Sequence, residues 1–320
     1  MTNLTEPPLD RVFRRRESAD VINERRLARR LERGEVIRVA PGSFAVKSAW
    51  SALSELDRHA QRVWEAAART APGTVFSHHA ACALLSIDLL GHWPELVDIS
   101  VSRTTGGRST GRLRRRTRQM EGLDLLPWGD HFVTSPAQTV IDMAAASPFV
   151  GGVVAADQAL WARRDGGALV TFERLTERAH RHRGRGEVRA RRVVGFATAQ
   201  SDSVRESQSR VVLDQLGFPA PELQREFLLP GGRRVRGDFF WEEWDHLGEF
   251  DGTGKYIDPT MLHGKTPEQA LIDEKDREDA LRRIVGKLSR WRTPQLERPA
   301  KLWDILVTAG LPSSRPRPGY

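Results

Sequence analysis

One cysteine and six lysines among 320 residues leave several protein classes without their raw material. A lone thiol, Cys82, cannot close an internal disulfide or furnish a cysteine-rich zinc finger, so a disulfide scaffold is excluded and a reducing cytoplasm is the expected setting. Long apolar runs are also missing. The most apolar stretch, Met143 to Ala156, is interrupted by Pro148, Gly151 and Gly152 and falls short of the roughly 18 residues a membrane span needs. Met1 to Asp10 lacks a basic stretch followed by an apolar one, so no signal peptide is expected. These absences point to a cytoplasmic protein with no membrane partner. At roughly 100 to 200 residues per domain, the length predicts two or three domains with a real core.

What the chain has in quantity is arginine. Of 50 basic residues 44 are arginine, against 42 acidic residues and a formal charge of +8. Residues 1–200 hold 31 basic and 22 acidic side chains, a net of +9, whereas residues 201–320 hold 19 and 20, a net of −1. Arginine makes the more specific phosphate contacts. A GC-rich coding sequence enriches arginine for reasons unrelated to binding, so position must carry the argument rather than number.

Ala19 to Arg33 places Val21, Ile22, Leu27, Ala28 and Leu31 among arginines, the pattern of an amphipathic helix, and Gly34 stops it. Val36 to Val39 and Ser43 to Val46 flank Ala40-Pro41-Gly42 and read as a hairpin. A basic helix leading into a small hairpin is the outline of a winged helix-turn-helix that offers the helix to a DNA major groove. Its candidate DNA contacts are Arg25, Arg26, Arg29, Arg30, Arg33 and Arg38. A solvated surface helix is the bland alternative.

In the middle third, Ser77 is a candidate N-cap for a short helix reaching Leu85, within Ser77-His78-His79-Ala80-Ala81. Val97 to Arg103 and Arg112 to Gln119 read as strands. Arg103, Arg108, Arg112, Arg114, Arg115, Arg116 and Arg118 gather with no acid between them, a candidate phosphate-binding patch centred on Arg114, Arg115 and Arg116. The alternative is an edge strand whose arginines discourage aggregation. Ser135-Pro136 opens a further helix, and two more follow over 150–163 and 171–182.

From Ser201 the order is helix, three strands, helix, strand, helix, and the first three strands are linked by turns rather than crossovers. Glu249 and Asp251 alternate on the third strand and share a face, and a paired second strand would bring Asp238 beside them. Clustered carboxylates repel unless a cation compensates, and oxygen-only ligands select Mg²⁺ or Mn²⁺. Such an ion generates hydroxide and stabilises charge on a phosphate, with a lysine such as Lys255 nearby.

This stretch resembles the PD-(D/E)xK nuclease superfamily, in the branch related to very-short-patch-repair and DUF559 endonuclease-like domains. The resemblance runs from about Ser201 to Trp291. It rests on Glu206, Ser207, Ser209 and Arg210 in the first helix, Gln224, Asp238, Glu249-Phe250-Asp251-Gly252, Lys255-Tyr256, and Glu274 to Arg282. The whole chain resembles actinobacterial AbiEi-type antitoxin or transcriptional-regulator homologues. The resemblance implies an α/β (α+β) chain of three parts: a winged helix over 1–75, a basic middle region over 76–200, and an αβββαβ endonuclease-like core over 201–320. It implies Asp238 and Glu249 as ligands of Mg²⁺ or Mn²⁺, with Glu206, Asp251 and Lys255 assisting DNA phosphodiester hydrolysis. Aspartate 251 stands where the Glu-x-Lys pattern has lysine, and the nearest lysine is four residues on. The alternative is a non-catalytic DNA-binding antitoxin or regulator in which the nuclease fold is vestigial. Double-stranded DNA is the implied partner in both, with a cognate toxin or a second copy of the chain as further candidates.

Overall fold

The structure is a computed structural model that describes residues 4–9, 12–14, 21–103, 109, 111–229, 232–252 and 266–319. It contains helices and mixed sheets, the α+β class expected. Two compact units divide it: residues 1–160 with 166–197, and residues 161–165 with 198–320. The stretches 1–75 and 76–197 thus share one compact unit, apart from 161–165.

The first unit opens with β1 (Phe13–Arg14), α1 (Val21–Glu32), β2 (Val36–Ala40), β3 (Ser43–Val46), α2 (Lys47–Ala52) and α3 (Glu55–Ala67). The hairpin forms where expected, and β1 adds to it in the order β1-β3-β2. Val39, Ala45 and Trp50 bury against Leu9, Val12, Ile37 and Leu53. The fully buried Ser43 hydroxyl donates to Glu65 Oε2 at 2.6 Å, fastening the hairpin to α3. Leu31 on α1 remains 36% exposed, so the apolar side expected of this helix is only partly covered.

The rest of the unit comprises β4 (Val75–Phe76), α4 (His78–Leu84), β5 (Val97–Ser102), β6 (Leu113–Arg118), β7 (Leu125–Trp128), β8 (His131–Thr134), α5 (Pro136–Ala146), α6 (Phe149–Leu160), α7 (Phe172–Arg181) and α8 (Glu187–Phe196). The five-stranded sheet runs β6-β5-β4-β8-β7, with β5–β6 and β4–β8 parallel. Ser135 caps α5 by accepting from Gln138 N at 3.2 Å, and Pro136 occupies the first turn. Ser77 precedes α4 but makes no capping bond; its Oγ instead accepts from Ser100 Oγ at 3.0 Å. The helix starts on buried His78 at φ 51, so the local geometry belongs to the strand–helix junction rather than to a capped turn.

The second unit contains α9 (Val204–Gln215), β9 (Glu222–Leu228), β10 (Arg234–Trp241), β11 (His246–Phe250), α10 (Pro267–Arg282), β12 (Lys287–Trp291), α11 (Thr293–Glu297) and α12 (Pro299–Thr308). Its sheet runs β12-β11-β10-β9, antiparallel except for β11–β12. One face packs Phe239, Trp241, Phe250 and Trp291 on Leu213, Leu302 and Leu306. The other packs Phe240 and Leu247 on Leu281 and Val285. Gly248 makes the first face possible: a Cβ there would lie 2.7 Å from the Trp291 ring and 2.9 Å from Trp241.

Candidate functional site

Helix α1 presents Arg25, Arg26 and Arg29 as exposed side chains, Arg33 is exposed just past its end and 3.8 Å from Glu35, and Arg38 is exposed on β2. Arg30 is half-buried, stacks over the Phe13 ring at 5.6 Å and faces Glu35 at 3.4 Å. Five of the six candidate arginines of this region thus reach solvent, where a nucleic-acid backbone can meet them.

The arginines of β6 do not share one fate. Asp98 on β5 is fully buried, and Arg114 clamps it through Nε at 2.5 Å and Nη2 at 2.7 Å. Arg116 Nε adds a bond at 2.7 Å, and His79 Nδ1 lies 2.9 Å from the same carboxylate. Burial alone would push the Asp98 carboxyl up, but hydrogen bonds from His79 and Arg114 and the charge of Arg116 hold it well below the usual carboxylate range. Arg114 and Arg116 therefore act first as internal counter-ions. Arg115, between them, has a buried Nε with no hydrogen-bond partner among the described residues. No local pattern marks Asp98 as the hub, because its partners lie 16 and 18 positions away on a parallel neighbour.

In the second unit the expected carboxylates fall into separate environments. Glu206 and Asp238 come together through Gln224, whose Nε2 lies 3.0 Å from Glu206 Oε2 and 3.4 Å from Asp238 Oδ1. Gln224 sits at φ 54, and the β9–β10 pairing passes from Gly237↔Arg225 to Phe239↔Leu223 around this point. Asp238 Oδ2 accepts from Phe250 N at 2.9 Å. Glu206 also accepts from Asp202 N at 2.9 Å and from the Ser203 hydroxyl at 2.9 Å. Burial, and then the charge of Asp238, push its carboxyl up to about 8, so the Glu206–Asp238 pair favours keeping a proton at neutral pH.

Glu249 is 4% exposed and gives each carboxylate oxygen to an arginine. Arg277 Nη2 donates to Oε1 at 2.6 Å, and Arg290 donates to Oε2 through Nη2 at 2.8 Å and Nε at 3.1 Å. Arg277 also bonds the Arg236 carbonyl at 2.7 Å, and Arg290 reaches Glu278 at 2.8 Å. Glu249 and Arg290 are direct partners in the parallel β11–β12 register. Asp251 pairs with Arg292 at 2.5 Å on the more exposed rim. Lys255 lies outside the described residues.

With two guanidinium groups on its oxygens, Glu249 as it stands is not an Mg²⁺ donor, because an approaching cation would meet positive charge. Among the described residues, no group of three or more His, Cys, Asp or Glu side chains is placed to hold one metal ion. The expected joint ligation by Asp238 and Glu249 does not fit these contacts. Arg277 reads in the sequence as a solvated or DNA-facing helix residue, and nothing local singles out Arg290. Their role depends on β12 and α10 meeting β11.

Comparison with known proteins adds two relatives of undetermined function. Uncharacterized protein Rv2248 of Mycobacterium tuberculosis H37Rv and uncharacterized protein MT2308 of strain CDC 1551 are each 29% identical to this chain over 149 residues, 46% of this chain and 54% of the relative. The chain spans about half the length of these curated relatives. No protein-family model matches, and no solved structure matches. No helix among the described residues is long and apolar enough to cross a membrane.

Proposed function

We propose that this chain is a DNA-binding regulator in which a nuclease-like fold is retained without cleavage. The observation that carries the reading is the occupation of Glu249 by Arg277 and Arg290. The order αβββαβ of α9, β9, β10, β11, α10 and β12 supports a PD-(D/E)xK-like ancestry. In such a fold Asp238 and Glu249 would share one ion, yet here Glu249 is neutralised by arginine and Asp238 lies beside Glu206, whose carboxyl is raised. The charge of Glu249 is thus compensated within the protein without an ion.

DNA attraction is assigned to α1 and the β2–β3 hairpin as a winged helix, through Arg25, Arg26, Arg29, Arg33 and Arg38. Regulators of this kind act by occupying an operator, and an antitoxin-like role with a toxin partner is consistent with the same surface. The test has two arms. Incubated with supercoiled plasmid and Mg²⁺ or Mn²⁺, the protein is expected to leave it intact. Fluorescence anisotropy on duplex DNA is expected to show salt-sensitive binding without metal. Arg29→Gln with Arg33→Gln should lower the log–log salt slope by about 2, roughly 1 for each phosphate no longer neutralised. Metal-dependent nicking that disappears in Asp238→Ala and Glu249→Ala would replace this reading with the nuclease.

A further inference from the structure

The first unit contains a cavity of about 570 Å³ between the β6 edge, the C-terminal end of α5 and the loop before α8. Its walls include Arg103, Arg115, Arg116, Arg118, Arg185 and Arg189. Asp142 is the one acidic side chain among its lining residues, and it is already committed, accepting from Arg118 at 2.6 Å and from Gln138 Nε2 at 2.7 Å. Arg116 is likewise committed to Asp98. Arg103, Arg115 and Arg185 make no ion pair among the described residues, and the Arg115 Nε is buried without a hydrogen-bond partner there. Like charges lining one concavity repel one another, and an oxyanion would relieve that repulsion and give the buried Arg115 Nε an acceptor.

Two further features fit an anion. Gly186, at φ 84, caps the ten-residue helix α8 on the cavity wall, and a Cβ there would lie 2.5 Å from the Ala145 carbonyl oxygen. Only glycine lets the start of α8 sit this close, which brings the positive end of the helix to the cavity. Glu187 in that turn is directed to Arg191 at 2.6 Å. His78, which also lines the cavity, is 8% exposed and strained at φ 51, with Nδ1 3.0 Å from the Ser77 hydroxyl. Burial pushes its imidazole down to about 4, so it is neutral at physiological pH and able to donate to an oxyanion without adding to the local repulsion.

We propose that this cavity binds a phosphorylated ligand carrying more than one phosphate, held by the guanidinium groups of Arg103, Arg115 and Arg185. The volume exceeds a single phosphate and lies in the range of small-ligand pockets, so a diphosphate or a nucleotide fits. The same chemistry is available from a free nucleotide or from the end of a nucleic-acid strand. The inference does not depend on DNA binding by α1.

Isothermal titration of the full chain with pyrophosphate, ATP and a 5′-phosphorylated single-stranded oligonucleotide tests it, beside Arg115→Gln and Arg185→Gln. Saturable binding of at least one probe is expected, weakened about tenfold or more in each variant while the melting temperature stays put. Competition between ATP and the oligonucleotide would assign both to the cavity; binding by the oligonucleotide alone would identify a strand end as the source. Arg29→Gln with Arg33→Gln should leave pyrophosphate binding unchanged, so failure of the operator reading and failure of this one are separable. Absence of binding by all three probes, or equal affinity in wild type and both cavity variants, overturns the proposal.

Discussion

Glu249 and Glu206 are both buried carboxyl groups beside the same four-stranded sheet, yet their negative charge is handled in opposite ways. Glu249 lies in register with Arg290 and under Arg277, and two guanidinium groups neutralise it. Glu206 has Asp238 as its charged neighbour through Gln224 and answers by keeping its proton. Asp98 in the first unit repeats the Glu249 solution with Arg114 and Arg116. A buried carboxylate therefore needs a counter-charge or a proton, and a metal ion is one counter-charge among several.

The largest effect is expected where arginines supply the counter-charge. Glu249→Ala strands two partly buried guanidinium groups and should cost about 3–5 kcal/mol in urea unfolding. A loss below about 1 kcal/mol would mean that Arg277 and Arg290 are satisfied without it, and the contrast with Glu206 would collapse. Glu206→Gln should act in the other direction and only at high pH. Because the native carboxyl is raised to about 8, the folded state binds more protons than the unfolded state between the ordinary value of 4.5 and 8, so this group's contribution to stability falls as pH rises through that window. Glutamine removes the penalty while keeping the shape. The variant should match the wild type within about 1 kcal/mol at pH 5 and exceed it by about 1–3 kcal/mol at pH 9. Equal pH profiles for the two proteins would remove the protonated Glu206 from the account. Asp251→Ala should matter least, about 0–1 kcal/mol in the same urea unfolding, because its partner Arg292 is 60% exposed and the pair is screened by water and salt.

Much of the second unit was legible before its structure. The expected order of helix, three strands, helix, strand and helix is present, with α10 opening at Pro267 and α12 at Pro299. These are local signals. The first unit was harder, since β4, the β7–β8 hairpin and α8 are short or charge-rich and carry little periodicity. At the candidate site, Asp238 and Glu206 meet as neighbours through Gln224, whereas Glu249 is held by Arg277 and Arg290. Side-chain alternation assigns a face but not a partner: Asp238 meets Gln224 and the Phe250 N–H, whereas Glu249 is taken by arginines of α10 and β12.

Cysteine scarcity, arginine abundance and the split of charge near residue 200 were fixed by sequence alone, and they already exclude a disulfide scaffold and place the positive charge in the first unit. Local propensity also determined most helices and strands. Tertiary structure alone decided which arginines are spent. Arg114, Arg116, Arg277 and Arg290 read as free positive charge along the chain, and each is turned inward onto a buried carboxylate supplied by a distant strand. Arg103, Arg115 and Arg185 are left facing a cavity. Charge is a property of residues, but its compensation is a property of pairs, and pairs across sheets exist only after the chain has folded.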